Sequence, residues 1–137
     1  MSAIRLISLF ALTALLATPG AYAGDIKGDA ASGKDLFMAN ACAACHGVTT
    51  ENNMTVGPNL VGVLGRKAGT MQSLMGPSEN LKKYGVIWSF ETLDEFLANP
   101  NAKVPGTAMS GILVDPQQRA DVIAYLATLT NLPALTK

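Results

Sequence analysis

The chain has 137 residues, of which 49% are hydrophobic and 15% charged, and its 10 basic and 10 acidic side chains leave no net charge. This length and composition predict one globular domain and exclude an extensively disordered chain. The even charge balance also excludes the large basic patches with which proteins bind nucleic acid, so we expect no nucleic-acid partner.

The first 23 residues have the pattern of a secretory signal peptide. Arg5 precedes an apolar stretch from Leu6 to Ala17, and Ala21-Tyr22-Ala23 has the small-x-small pattern of a cleavage site. Twelve helical residues span only about 18 Å of a hydrocarbon core of roughly 30 Å, so an uncleaved anchor is the weaker alternative. We expect residues 1–23 to be removed on export to the bacterial periplasm, leaving a mature domain of residues 24–137 without stable membrane insertion.

Three segments of the mature chain begin with a residue type that caps helix N-termini: Ser32, Thr92 and Asp115. The first predicted helix leads into Cys42, and the second ends at Asn99-Pro100. The third has proline at its first position and an apolar stripe at helical spacing, formed by Val122, Ile123, Leu126 and Leu129.

Cys42 and Cys45 are the only cysteines, and the only histidine, His46, follows at once. The C-x-x-C-H spacing is typical of covalent attachment of a c-type haem, with the histidine as an iron ligand. A structural disulfide would close a very small loop and stabilise little. A thioredoxin-type dithiol would follow a strand, and zinc would need two further sulfur or nitrogen ligands where one histidine remains. We therefore expect one haem c bound through Cys42 and Cys45.

The remaining segments are irregular. Residues 66–86 and 101–113 show no sustained period, and Asn59 to Leu64 has room for one or two helical turns. Such long loops are uncommon inside a compact domain, but a haem resolves the difficulty because loops can pack on it. No strand pattern, repeat or second domain is present, so the predicted class is all-α with long loops.

The methionines are the candidates for a second iron ligand, because a thioether can bind iron. Each of them could equally be an ordinary residue of the hydrophobic core. Met38 and Met54 are too near His46 in sequence, whereas Met71 and Met75 cannot be excluded on reach. Met109 follows the stiff turn Val104-Pro105-Gly106-Thr107 between two predicted helices. We expect Met109 to be the ligand.

The chain resembles the class I c-type cytochromes, in particular mitochondrial cytochrome c and bacterial cytochrome c2. The motifs that carry the resemblance occur in one order across nearly the whole mature chain: Cys42-Ala43-Ala44-Cys45-His46, Gly57-Pro58-Asn59-Leu60, Gly62 to Lys67, Trp88 before Thr92-Leu93, Leu97 to Pro100, Pro105 to Met109, and Asp121 to Leu126. The resemblance implies a small fold of three to five helices with long loops around one haem.

The resemblance also assigns roles to single residues. It implies that Met109 faces His46 across the iron and that Pro58 offers its carbonyl to the outer nitrogen of His46. It further implies that four side chains bind or neutralise the haem propionates: Arg66, Asn80, Trp88 and Thr107.

Three departures from the family pattern bear on this reading. Phe96 stands where the family often has a tyrosine near the ligating methionine. Phe37 lies one residue further from Cys42 than in the mitochondrial form, which implies an extended or bulged first helix. The family's ring of lysines is thin, which argues against strong electrostatic steering of partners; those that remain are Lys67, Lys82, Lys83 and Lys103.

The function implied by the resemblance is that of a soluble, monomeric one-electron carrier that meets redox enzymes transiently and is not itself an enzyme. Two alternatives stay open. One is a haem protein with an open or labile sixth site, acting as a gas sensor or a peroxidase-like enzyme. The other is a dedicated electron-accepting subunit of one periplasmic dehydrogenase.

Overall fold

The computed structural model describes residues 27–51, 54–76, 78–109 and 113–129. A 3₁₀ turn spans Cys42–Ala44, and a single antiparallel bridge pairs Lys67 with Ile87. The described ranges contain five α-helices: α1 (Ala30–Ala39), α2 (Glu79–Tyr84), α3 (Phe90–Ala98), α4 (Pro100–Lys103) and α5 (Pro116–Thr128). The predicted all-α class is confirmed, and the predicted signal segment, residues 1–23, lies outside the described residues.

Helices α1 and α5 pack directly against each other because glycine lets their backbones meet. A Cβ on Gly33 would lie 2.9 Å from the Val122 nitrogen of α5 and closer still to the carbonyl group of Asp121. One turn further along α1, Phe37 is 1% exposed and its ring centroid lies 5.6 Å from that of Tyr125. This crossing fixes the end of α1 from which the chain enters the C-x-x-C-H segment.

Helix α3 also packs against α5, where a largely buried arginine joins three parts of the chain. Arg119 of α5 donates from Nε to Asp94 Oδ1 of α3 at 2.6 Å. Its Nη1 donates to the carbonyls of Leu113 and Val114 at 3.0 and 2.8 Å. Arg119 therefore anchors the segment that enters α5. This role of Arg119 was not predicted from the sequence.

Two predicted helix starts are wrong by about one turn. The N-cap of α1 is Asp29, whose carboxylate accepts from the Ser32 nitrogen at 2.7 Å, so Ser32 lies inside the helix. The N-cap of α3 is Ser89, which forms a capping box with Thr92. A tertiary contact also holds the start of α1, because the Asp29 nitrogen donates to Asp121 Oδ1 of α5 at 2.8 Å.

Short helices occupy two segments that were predicted to be loops. Helix α2 is capped by Ser78 and ends at Gly85, which adopts φ 58°. Helix α4 is a single turn capped by Asn99, with Pro100 at its first position. Both are too short to show a helical period. The converse also occurs, since the helical turns predicted from Asn59 to Leu64 are not helix but successive tight turns.

Between Phe37 and Cys42 the backbone departs from helical geometry only after α1, so the departure does not lie within the helix as the predicted extension or bulge would. The helix ends at Ala39 with Asn40 as its C-cap, and Ala41 then adopts the left-handed conformation with φ 57°. Among the described residues it is the one non-glycine residue with positive φ. This single left-handed residue separates α1 from the 3₁₀ turn that carries the cysteines.

Within the described ranges, no helix has both the length and the apolar character needed to cross a bilayer.

Candidate functional site

The two cysteines and the histidine lie together on the 3₁₀ turn and directly after it. The nitrogens of Cys45 and His46 both donate to the Cys42 carbonyl, at 3.1 and 3.0 Å. Cys42 packs against the hydrophobic core and its burial raises the pKa of the thiol, whereas Cys45 is exposed. Both thiols are free. The arrangement leaves both available for covalent attachment of one group.

The His46 ring is held between two backbone groups. Its Nδ1 lies 2.8 Å from the Pro58 carbonyl oxygen. Because a carbonyl can only accept, Nδ1 carries the proton and Nε2 keeps its lone pair. A Cβ on Gly57 would lie 2.6 Å from His46 Cε1 and 2.9 Å from Nδ1. Glycine is therefore required immediately before the proline, since any side chain would push the ring away.

The environment of His46 favours a neutral imidazole. Burial lowers the pKa of His46, and the hydrogen bond to Pro58 opposes that shift in part. A neutral imidazole with Nε2 unprotonated is the form that binds a metal. The predicted partnership of His46 and Pro58 is thus visible as a hydrogen bond of ordinary length.

The carbonyl of Pro58 is fixed from its C-terminal side by Asn59, which is 1% exposed. The Asn59 side chain donates from Nδ2 to the Thr49 carbonyl and accepts from the Val61 nitrogen, both at 2.8 Å. From the sequence alone, Asn59 was notable only as part of the Gly57-Pro58-Asn59-Leu60 motif. Its position directly after Gly57-Pro58 is the signal that could have identified it.

Arg66 and Trp88 are brought together by the backbone. The Trp88 nitrogen donates to the Arg66 carbonyl at 2.9 Å, and the nitrogen of Gly65 donates to the Trp88 carbonyl at 2.8 Å. The Arg66 guanidinium donates to the carbonyls of Asn59 and Val61, at 2.8 and 3.0 Å. Burial lowers the pKa of Arg66, although the guanidinium stays charged.

No ion pair formed within the described part of the chain involves Arg66. A half-buried cation without a carboxylate beside it favours an anionic group from outside the chain. Trp88 is 7% exposed, and its ring lies against those of Tyr84 and Phe96, with centroids 6.0 and 5.2 Å away. Trp88 therefore has a core role whatever else it binds.

The segment that carries Met109 is anchored at its start. Val104 is fully buried and its carbonyl accepts from the Thr107 nitrogen at 3.1 Å, with Gly106 at φ 78° in between. The Thr107 hydroxyl then accepts from the Met109 nitrogen at 3.3 Å. Met109 is half-buried and packs on the same core cluster as Cys42.

Asn80 lies on α2 and donates from Nδ2 to the Pro105 carbonyl at 2.7 Å. Together with Lys83, Tyr84 and Lys103, these two residues line an open cavity of about 290 Å³. The amide of Asn80 thus ties α2 to the turn before Met109. Its predicted role towards a propionate stays a prediction.

These residues fit a covalently bound haem. Two free thiols lie within one turn of an imidazole whose Nε2 is open, and Arg66 is a half-buried cation suited to a carboxylate. The zinc alternative finds no support, because no three of the His, Cys, Asp and Glu side chains in the described ranges cluster as a metal site would require.

Comparison with known proteins agrees with this fit. The family model described as cytochrome c matches residues 30–130. The chain is 41% identical over 129 residues to a cytochrome c2 of Rhodomicrobium vannielii, covering 93% of this chain and 97% of the relative. It is 43% identical over 105 residues to a cytochrome c of Tetrahymena pyriformis, covering 75% of this chain and 91% of the relative.

Proposed function

Because the chain belongs to the cytochrome c family and carries one covalently attached haem c, we propose that it is a monohaem electron carrier exported to the bacterial periplasm. Cys42 and Cys45 bind the haem, and His46 and Met109 hold the iron from its two sides. The similarity to a bacterial cytochrome c2 and the signal-like first 23 residues support the proposed export.

The observation that carries the proposal is the 2.8 Å hydrogen bond between His46 Nδ1 and the Pro58 carbonyl. It supports Nε2 as the nitrogen that binds the iron, and it would make the imidazole a stronger electron donor, as hydrogen bonds to ligating histidines generally do. The Gly57 backbone approaches the ring so closely that a Cβ there would lie 2.6 Å from Cε1, and this close approach restrains the ring. A histidine fixed in one tautomer and one orientation suits a permanent ligand better than a residue that shuttles protons.

When bound, the haem supplies reversible one-electron exchange between ferric and ferrous iron, with a potential raised by thioether ligation. The chain's contribution is to keep the surroundings of the iron the same in both states. Pro58 and Gly57 hold His46, while Thr107 holds the backbone of Met109. Ligands that do not move between the two states keep the reorganisation on electron transfer small.

The polar side chains near the site neutralise the haem propionates in this proposal. Arg66 supplies the charge, and Trp88 and Thr107 supply hydrogen-bond donors. Support comes from the position of Arg66, half-buried beside the loop that carries Pro58. A role of Asn80 towards a propionate has less support, because its side-chain nitrogen already donates a hydrogen bond to the Pro105 carbonyl.

The proposed partners are redox proteins met transiently by a monomer. Of the four lysines that could steer such encounters, Lys82 pairs with Glu79 and Lys103 with Glu95. This pairing reduces the positive field that a partner would sense. Electron transfer to a redox partner should therefore slow less than about threefold between low and physiological salt, and a steeper fall would contradict the proposed weak steering.

The decisive experiment tests Met109 as the second ligand. Met109→Ala should abolish the sulfur-to-iron charge-transfer band of the ferric protein and allow the ferrous protein to bind carbon monoxide. Met75→Ala is the matched control, because this methionine is 78% exposed and should change neither property. A surviving band in Met109→Ala, or its loss in Met75→Ala, would move the ligand elsewhere.

A second experiment tests covalent attachment and export. Cys45→Ser should leave a haem linked by one thioether, which changes the α-band of the ferrous pyridine complex, and the double variant with Cys42→Ser should lose haem on acid–acetone treatment. The mass of the exported protein should correspond to residues 24–137 plus one haem. A mass that includes residues 1–23 would show that the predicted signal is retained.

A further inference from the structure

The loop between His46 and Pro58 contains one inward-facing hydroxyl that the function above does not use. Among the described residues from 49 to 56, Thr55 alone is not exposed to solvent. Its Oγ1 donates to the Gly57 carbonyl at 2.9 Å and accepts from the Gly47 nitrogen at 3.3 Å. The direction of both bonds is fixed, because a carbonyl can only accept and an amide N–H can only donate.

These bonds close a ring of contacts around His46. The Gly57 nitrogen donates to the Cys45 carbonyl at 2.8 Å, so the residues before and after His46 are both tied to the segment from Thr55 to Gly57. The Thr55 carbonyl in turn accepts from the Leu74 nitrogen at 2.9 Å. Thr55 thus connects the cysteine–histidine segment to the loop that follows residue 70.

The position of this hydroxyl matters because of the proline that follows. The Gly57 carbonyl belongs to the same peptide plane as the Pro58 nitrogen, and the ring of proline fixes φ near −65°. Once that peptide plane is held, only ψ of Pro58 remains to aim the Pro58 carbonyl. Asn59 restrains that angle from the other side.

We propose that Thr55 is a positioning residue that, through the Gly57–Pro58 peptide, sets the strength of the hydrogen bond from His46 Nδ1 to the Pro58 carbonyl. The inference rests on the proposed role of His46 as an iron ligand. A hydrogen bond at Nδ1 raises the basicity of a ligating imidazole, and a more basic ligand favours ferric over ferrous iron. Loss of the Thr55 hydroxyl should therefore shift the haem protein towards its reduced form.

The test compares Thr55→Val, which has nearly the same shape without the hydroxyl, with Thr55→Ser, which keeps it. At an ambient potential equal to the wild-type midpoint, the ratio of reduced to oxidised protein should rise about two- to fivefold in Thr55→Val, or about 20 to 40 mV at 59 mV per tenfold change. Thr55→Ser should stay within about 1.5-fold of the wild type. Thr70→Val removes another loop hydroxyl, bonded to the Lys67 carbonyl at 2.8 Å, and should leave the ratio unchanged.

A second readout follows the proton itself. In the ferrous protein, exchange of the His46 Nδ1 proton with solvent, measured by NMR, should be at least several-fold faster in Thr55→Val than in Thr55→Ser. A purely structural role would lower the unfolding temperature of Thr55→Val but leave the midpoint potential and this exchange rate unchanged, and that result would overturn the proposal. An equal shift in Thr55→Ser would overturn it as well.

If Thr55→Val does not fold, the proposal can still be tested by NMR on the wild-type protein. The hydroxyl proton of Thr55 should then exchange slowly and show a nuclear Overhauser effect to the Pro58 ring, and fast exchange without that effect would overturn the proposal. Failure of the proposed function is separate from both outcomes. It would appear in the wild type as a His46 ring whose resonances do not respond to oxidation of the haem.

Discussion

Substitution of Gly33 by alanine gives a sharp test of the α1–α5 crossing, because two effects of opposite sign meet at this residue. In an isolated helix, alanine is more favourable than glycine by about 1 kcal/mol. In the folded chain, however, the new Cβ would lie 2.9 Å from the Val122 nitrogen and closer to the Asp121 carbonyl, whereas real Cβ contacts essentially never fall below 3.0 Å. The helices must therefore separate by about 1 Å.

Such a separation disturbs the packing of Phe37, which is 1% exposed, against α5. Overpacking of this kind costs about 3 kcal/mol, so the net loss after the gain in helix propensity is about 2 kcal/mol. For a domain of this size that corresponds to a fall of roughly 6 to 12 °C in unfolding temperature.

The assay is thermal unfolding of the haem-loaded mature protein, followed by circular dichroism. The matched control is Ala31→Gly, an exposed position in the same helix, where the propensity change alone should cost about 1 kcal/mol. If Gly33→Ala is as stable as the wild type or more stable, the close approach of α1 and α5 is refuted.

Three further predictions concern other contacts. Gly57→Ala places a Cβ 2.6 Å from His46 Cε1. The free energy of unfolding, measured with denaturant, should fall by about 1–3 kcal/mol, and the His46 Nδ1 proton should exchange faster. An unchanged exchange rate would contradict the contact. Arg119→Met leaves buried carbonyls without a donor and should lower the free energy of unfolding by about 2–3 kcal/mol. Asp94→Asn should lower it by less than about 1 kcal/mol, because Asp94 is 44% exposed. Equal losses would contradict the larger role of the two carbonyls. The bonds from Ser32 lower the pKa of Asp29, so the carboxylate stabilises the fold above its unfolded pKa and this contribution is lost as the pH falls through the folded pKa. Asp29→Asn should therefore be less stable than the wild type near neutral pH and converge with it once the pH falls below the folded pKa of Asp29, as followed by thermal unfolding at each pH. A gap that persists in strong acid would refute the assignment.

The chemistry of the site follows from residues that are neighbours in the chain. Cys42, Cys45 and His46 are adjacent in the chain, so their juxtaposition needs only one helical turn, and the structure provides it. The same holds for α5, whose start at Asp115-Pro116 depends on local capping. The partnership of His46 with Pro58 was predicted from the resemblance, not from spacing, and a hydrogen bond of 2.8 Å joins the two groups in the structure.

Contacts between segments remote in sequence could not be predicted in this way and became visible only in the folded chain. The Asp29 nitrogen, at the start of α1, is bonded to the carboxylate of Asp121, 92 residues away. The anchoring role of Arg119 depends on Asp94 and on two carbonyls that no periodic pattern marks. Capping types and apolar periods report on one turn of backbone at a time, whereas these contacts arise only once the helices have packed and their remaining polar groups must find partners.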